Sequence, residues 1–358
     1  MIRYTGLILT GLIWSLLSSG SAAQEAPIGR IALGFGYNRD VGMSLVGSVQ
    51  HRDFLGWDQA IDLAFSVSSQ DHRILLDYRL QGLGRGNPSF GVWASHVARD
   101  RSARLGVETS VSRLAPMAVW NLGHTGVASI GPVFIHDELR ASAVAPLVLQ
   151  AEVGSRSLLG LSLQADVLMR NIGIGFSASV LNDGEGLRYS RSEFFLDYGF
   201  PISSDAISAN IAFRGGAISV ESGESTLNDR FIPEFGAIRG FGANGFGPVD
   251  PVALNGAPLG ATRYAVVSLD ARYAGLLPVA PNVVVGLFMD VGSAWGLDLG
   301  NDAARAAVDA DAYWRGAAGI TIAREFGAAR LELVLGEAFA HRPSDQVQNV
   351  QFNFYSSF

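Results

Sequence analysis

The 358-residue chain has no cysteine and no lysine, which excludes disulfide staples, thiolate chemistry, the P-loop lysine and Schiff-base catalysis. Its 26 basic residues, all arginine, are outnumbered by 33 acids, and a net charge of −7 offers no basic face for nucleic acid. Glycine is abundant, at 43 residues, and mean hydropathy is positive at +0.24, so a large apolar surface needs a destination that is neither a disulfide-stapled core nor a nucleic-acid complex.

The chain opens "MIRYTGLILTGLIWSLLSSGSAAQEAP": one charge at Arg3, an apolar run from Leu7 to Leu17, and small residues Ser21, Ala22 and Ala23. This is the three-part layout of a secretory signal peptide over residues 1–23, and the apolar run is too short for a spanning helix of about 20 residues. Residues 24–358 then form the exported part, with a net charge of 25 − 33 = −8.

From Arg30 onward a period of two dominates, the signal of strands with one apolar and one polar face. Ile31, Leu33, Phe35 and Tyr37 alternate with Ala32, Gly34 and Gly36. "AIDLAFSV", "RILLDYRL", "LGLSLQADVLM", "AISANIAF", "YAVVSLDARY", "VVVGLFMDVG", "GAAGITIA" and "ARLELVLGE" follow. At the end, Val350, Phe352, Phe354 and Phe358 alternate with polar residues. One phase is nearly all aliphatic, while the other carries Asp270, Arg272, Arg330 and Glu332, too many charges for a dry core. The stretch "YAGLLPVAPNVVVGLFM" is broken by Pro278, Pro281 and Asn282 and cannot be one membrane helix. Alternating segments of about ten residues, joined by connections that alternate short and long, predict an all-β fold: an outer-membrane β-barrel of about 16 strands in a single domain. Trp295 and Trp314 flank a long connection and are expected near the outer interface.

Between "AISANIAFRGGAISV" and "YAVVSLDARY" lie about 42 residues, Glu221 to Thr262, without a strand pattern, and connections beyond about 12–15 residues are usually functional or disordered. Within them Gly240, Gly242 and Gly245 spell G-x-G-x-x-G, yet the prolines and glycines that follow cannot form the helix a dinucleotide site needs. The segment is rich in apolar residues (Phe231, Ile232, Phe235, Ile238, Phe241, Phe246), which predicts that it folds into the barrel lumen.

"IRGF", Ile238 to Phe241, resembles the V/I-R-G-F/Y signature in the lumen loop of the BamA/TamA-like outer-membrane proteins of the bacterial surface antigen superfamily, and "FMDVGSAW" resembles that family's F-x-D-x-G strand. The resemblance covers the exported chain, most firmly from Arg230 to Phe358. It implies a 16-stranded barrel, a loop tip of Ile238, Arg239, Gly240 and Phe241, docking strands bearing Asp270, Phe288, Asp290 and Gly292, and a C-terminal assembly signal at Phe352, Phe354 and Phe358. It also implies handling of client polypeptides. Only Gln24 to Gly29 precede the first alternating strand, so the polypeptide-transport-associated (POTRA) domains of the family are not read here, and client capture either needs a separate periplasmic partner or does not occur. Counting ten residues either side of Ala280 places Asp270 opposite Asp290, and the loop arginine, brought against this strand pair by the resemblance, is expected to bridge them.

No His, Asp or Glu spacing of a metal site and no local catalytic motif is present, so no cofactor, metal or catalytic residue is expected. Three functions are weighed: insertion or translocation of polypeptides through a weak seam between the first and last strands, a passive diffusion pore, and a barrel enzyme, the last distinguished by a Ser–His pair within hydrogen-bond reach. The first is preferred, in a monomer surrounded by the lipid of a Gram-negative outer membrane.

Overall fold

The computed structural model describes residues 29–357, apart from 39–41, 53–58, 81–87, 124, 204–205, 234–235, 243–244, 251–256, 276–282, 300–307 and 327–328. The expected signal peptide, the turn at Ala280, Phe235 and Phe358 lie outside the described residues.

Sixteen strands form one closed antiparallel barrel. In chain order they are β1 (Gly29–Asn38), β2 (Gly42–Arg52), β3 (Gln59–Ser68), β4 (Asp71–Leu80), β5 (Ser89–Arg101), β6 (Val107–Leu122), β7 (Gly126–Ala141) and β8 (Gly154–Met169). There follow β9 (Ile172–Asn182), β10 (Arg188–Ser203), β11 (Ile207–Ser222), β14 (Arg263–Ala274), β15 (Val283–Trp295), β16 (Arg315–Phe326), β17 (Ala329–Ala340) and β18 (Val350–Ser357). Two short strands, β12 (Val249–Asp250) and β13 (Ala257–Pro258), pair with each other inside the long β11–β14 connection, which is therefore not wholly without strand structure. Closing the sheet removes its edges, the condition for crossing lipid with strands.

Side-chain phase follows the alternation in the sequence. Ile31, Leu33, Leu161, Leu163, Phe176, Ile211, Leu287, Ile320 and Phe352 lie exposed on the outer wall, whereas Asp77, Asp197, Asp290 and Glu332 are buried on the lumen side. Several lumen charges are paired along their strands, Arg79 with Asp77 at 2.6 Å and Arg330 with Glu332 at 2.6 Å. Charged groups in a water-excluded interior are tolerated when paired in this way. β6 and β7 are the hardest strands to read in sequence because Pro116 and Pro132 interrupt them, and their pairing lapses between Leu114↔Phe134 and Ala118↔Ile130. Gly131 sits in that lapse, where a Cβ would lie 2.0 Å from the Pro116 carbonyl oxygen.

The wall is uneven in height. β1 to β4 have 10 or 11 residues, enough for about 25 Å of apolar band at the usual tilt, while β6, β7, β8, β10 and β11 have 16 and stand above it. The expected alternation of short and long connections holds on the tall side, but β3 and β4 are joined on the loop-bearing side by only Ser69 and Gln70. A low wall leaves no strand stubs for a long loop to link.

Above the tall side the connections form their own apolar core. Leu105, Leu139, Leu149, Leu227, Leu259 and Leu297 meet there, contributed by three connections, the lumen loop and β7. The β15–β16 and β17–β18 connections are tied by Arg315, whose guanidinium donates to both Asp345 carboxylate oxygens at 3.0 Å with both side chains fully buried. This cap covers the outer mouth.

Because the two faces of β16 differ only by phase, Ile320→Arg, midway along the strand and facing lipid, should destabilise the barrel by about 2–4 kcal/mol. Thr321→Arg, on the lumen face, should cost clearly less. Urea unfolding from liposomes, read by tryptophan fluorescence, measures both.

Candidate functional site

The β11–β14 connection crosses the lumen and is held at two places. The first centres on Arg239. Its backbone N–H and Nε both donate to Asp290 Oδ2 at 2.8 Å, and Nη2 donates to Asp290 Oδ1 at 2.6 Å. Nη1 and Nη2 donate to the two oxygens of Asp270 at 2.5 and 3.2 Å. The guanidinium carbon lies 4.1 Å from the centre of the Phe288 ring. The structure thus brings Arg239, Asp270, Asp290 and Phe288 together, with a different register from the one counted in sequence. Asp270 pairs with Phe288 and Asp290 with Ser268, so the aspartates are diagonal neighbours on one face. The observed cross-strand partners are displaced by two residues from the counted ones. The diagonal suits the ligand: each carboxylate meets one side of a planar fork, and Phe288, opposite Asp270, lies beneath its π-face. Burial works against the charge on Arg239, but the hydrogen bonds and fields of the two carboxylates outweigh it and raise its pKa above the ordinary arginine value.

Gly240 follows with φ +89°, and a Cβ there would sit 2.9 Å from the Cβ of Ala317. Both conformation and space require glycine. The turn carries Phe241 into a buried cluster with Ile238, Phe246, Val266, Ala294 and Ala317. Gly292 makes room for this packing, since a Cβ would lie 2.9 Å from Ile238 Cδ1.

The same tip is stitched to the run leading into the last strand. Gln348 N donates to the Gly240 carbonyl at 2.8 Å, Gly242 N to the Gln346 carbonyl at 2.9 Å, and Gln346 N to the Gly245 carbonyl at 2.8 Å. Within β18 the buried Gln351 donates Nε2 to the Phe241 carbonyl at 2.9 Å. The G-x-G-x-x-G amides of Gly242 and Gly245 are therefore engaged inside the protein, Gly245 N donating to Gly242 O at 2.9 Å. This accounts for the glycines without a phosphate.

The second anchor, on the opposite wall, was not read from the sequence. Asp229 accepts from Tyr189 Oη and from Arg156 Nη2, both at 2.6 Å, and its backbone carbonyl accepts from Arg191. Arg156 also meets Asp137 of β7 at 3.0 Å. The fully buried Arg230 bonds Glu152 at 2.8 Å and the Leu259 carbonyl at 3.2 Å. Burial raises the Glu152 pKa, opposed chiefly by Arg230. Five polar or charged residues in "STLNDRF", inside an otherwise apolar loop, were the available signal. Their partners, at residues 137–191, are too far along the chain for spacing to reveal.

Of the C-terminal residues singled out, Phe352 faces outward and Phe354 pairs with Leu331 on one side and Tyr37 on the other. Among the described residues, His96 Nδ1 lies 2.8 Å from Ser112 Oγ, and His136 Nδ1 lies 3.1 Å from Ser157 Oγ. Both are on the outer wall, and among the described residues neither imidazole is hydrogen-bonded to a carboxylate that would orient it as a base.

Removing one partner of a buried ion group typically costs about 3–5 kcal/mol. Arg239→Ala should therefore expose the loop to proteases and lower the temperature at which the barrel loses its compact gel mobility, and Arg239→Lys should restore part of the loss because an ammonium lacks the fork. Asp229→Ala should loosen the opposite end of the loop, with new cleavage sites near residues 225–231 rather than 238–246; limited proteolysis with mass mapping separates the two.

No curated protein matches the chain. The model of the Omp85 superfamily domain matches residues 161–358. Among solved structures, BamA from Haemophilus ducreyi lacking POTRA domains 1–3 aligns with a TM-score of 0.77 and 16% identity over 94% of this chain and 71% of that one. CdiB from Acinetobacter baumannii aligns with a TM-score of 0.59 and 13% identity over 94% of this chain and 61% of that one. CdiB from Escherichia coli gives 0.57 and 10%, over 94% and 64%. A sixteen-stranded barrel with an Arg-Gly-Phe loop docked in its lumen, matched over more than half its length by the family model, belongs to the Omp85 superfamily, has the fold of the BamA barrel and is an outer-membrane β-barrel of a Gram-negative bacterium.

Proposed function

We propose that this barrel inserts or translocates polypeptides at the outer membrane by parting the seam between β1 and β18, with the lumen loop as a releasable plug. One observation carries the reading. Among the described residues the seam is held by four pairs, Gly34↔Ser357 to Tyr37↔Phe354, whereas β1 makes ten with β2. Among the described residues the upper half of β18, Val350 to Asn353, has no partner on β1; its buried Gln351 is held by the Phe241 carbonyl of the loop. Undocking the loop would free that half strand, and a client strand could pair with its edge. The apolar cap over the outer mouth and the loop across the lumen favour this reading over a passive pore, since both obstruct a through-path. Client polypeptides and surrounding lipid are the partners on this reading, with a separate periplasmic protein as one means of delivery. It assigns no catalytic residue, cofactor or metal.

Across the seam Phe35 pairs with Ser356. In a chain with no native thiols, Phe35→Cys with Ser356→Cys should cross-link on oxidation, stop folding of a β-barrel client in proteoliposomes, and recover with reductant. Full activity in the cross-linked protein would overturn the seam. Depleting the protein in cells should lower the amounts of other outer-membrane barrels, and unchanged levels of all of them would overturn an assembly role.

A further inference from the structure

Away from the loop, the outer wall holds a groove of about 500 Å³ where β8 outruns its neighbour. β9 ends at Asn182, opposite Leu159, while β8 continues upward to Gly154. Asn182 Nδ2 donates to the Leu159 carbonyl at 3.1 Å, closing the last rung. Alternate residues of a strand present N–H and C=O on the same edge, so Ser157 and Ser155 offer theirs to the space β9 has vacated.

The groove lies at the boundary between two surfaces. Below it, Leu114, Phe134 and Leu159 are adjacent across β6, β7 and β8 and continue the lipid-facing apolar band. One rung higher, His96, Ser112, His136 and Ser157 form a continuous polar row across four strands. Above that, the nearby charges are largely occupied: Arg140 bonds Glu138 at 2.7 Å, Arg188 bonds Glu221 at 3.0 Å, and Asp183 Oδ1 accepts three backbone N–H groups of its own turn. With Glu138 and Asp183 near and both of these arginines paired to carboxylates, the rim favours a neutral, hydroxyl-rich headgroup over a phosphate.

We propose that this groove binds a single outer-leaflet glycolipid, its acyl chain along Leu114, Phe134 and Leu159 and its sugar hydroxyls on His136, Ser157, Asn182 and the free edge of β8. The floor is continuous with the lipid-contacting wall, so the occupant enters from the membrane. This inference needs only the membrane barrel and is independent of client handling.

The test uses the full chain in phosphatidylcholine nanodiscs doped with either monogalactosyl diacylglycerol or phosphatidylglycerol, with retained lipids counted by native mass spectrometry. One saturable galactolipid should be retained, and phosphatidylglycerol should show only graded, non-saturating retention. Ser157→Phe and, separately, Asn182→Phe should each weaken galactolipid retention at least tenfold while heat-modifiable gel mobility stays unchanged. Ile320→Phe, on a distant part of the wall, should retain it fully. Equal saturation by phosphatidylglycerol, or undiminished retention in both groove variants, would overturn the site.

Discussion

Two carboxylates on one lumen face share one guanidinium, and the interior of the barrel is organised around that fact. Asp290 is almost fully buried and Asp270 nearly so. Two buried carboxylates a diagonal apart repel each other and need donors for their oxygens, and a guanidinium placed between them supplies both the charge and the hydrogen bonds. Arg239 arrives from a loop rather than from the wall, so satisfying the aspartates and threading the loop through the lumen are one event. Everything adjacent is shaped by that insertion: the left-handed turn at Gly240, the space left at Gly292, and the aromatic pair Phe241 and Phe246, whose ring centres are 5.8 Å apart.

The loop is anchored at both ends by chemistry of the same kind. At one end the cation is on the loop and the carboxylates are on the wall; at the other the roles mix, with Asp229 meeting Arg156 and Tyr189 while Arg230 meets Glu152. Buried ion groups of this type add little net stability compared with apolar packing, yet they are costly to break singly and so define one docked position. A purely apolar plug would be held as firmly but could slide. The polar anchors give the loop a docked state distinct from any undocked one, a property a releasable plug needs.

The loop, the last strand and the seam are also mechanically continuous. The tip holds residues 346–351 by backbone and side-chain bonds, and β18 below them makes the short contact with β1. The low wall of β1 to β4 stands on the same side, so the seam with the fewest pairs among the described residues adjoins the lowest part of the barrel.

Much of the barrel was legible because its physics is local. A period of two marks which residues face lipid, and Ile31, Leu287, Ile320 and Phe352 can be assigned from neighbours alone. The inward loop was legible from composition, because apolar residues such as Phe241 and Phe246 cannot remain in water, and Arg239 with its two aspartates was reached by adding a motif to a count of residues. That count missed the cross-strand partner by two residues, since a strand pair's register depends on the turn joining it and on the neighbouring strands. Tertiary structure alone decided the rest. The Asp229 contact with Arg156 joins residues 73 apart, the Gln351 bond joins residues 110 apart, and the outer groove exists because one strand is longer than its neighbour. Such contacts depend on how the closed sheet brings distant strands level with one another, and no periodicity along the chain records that height.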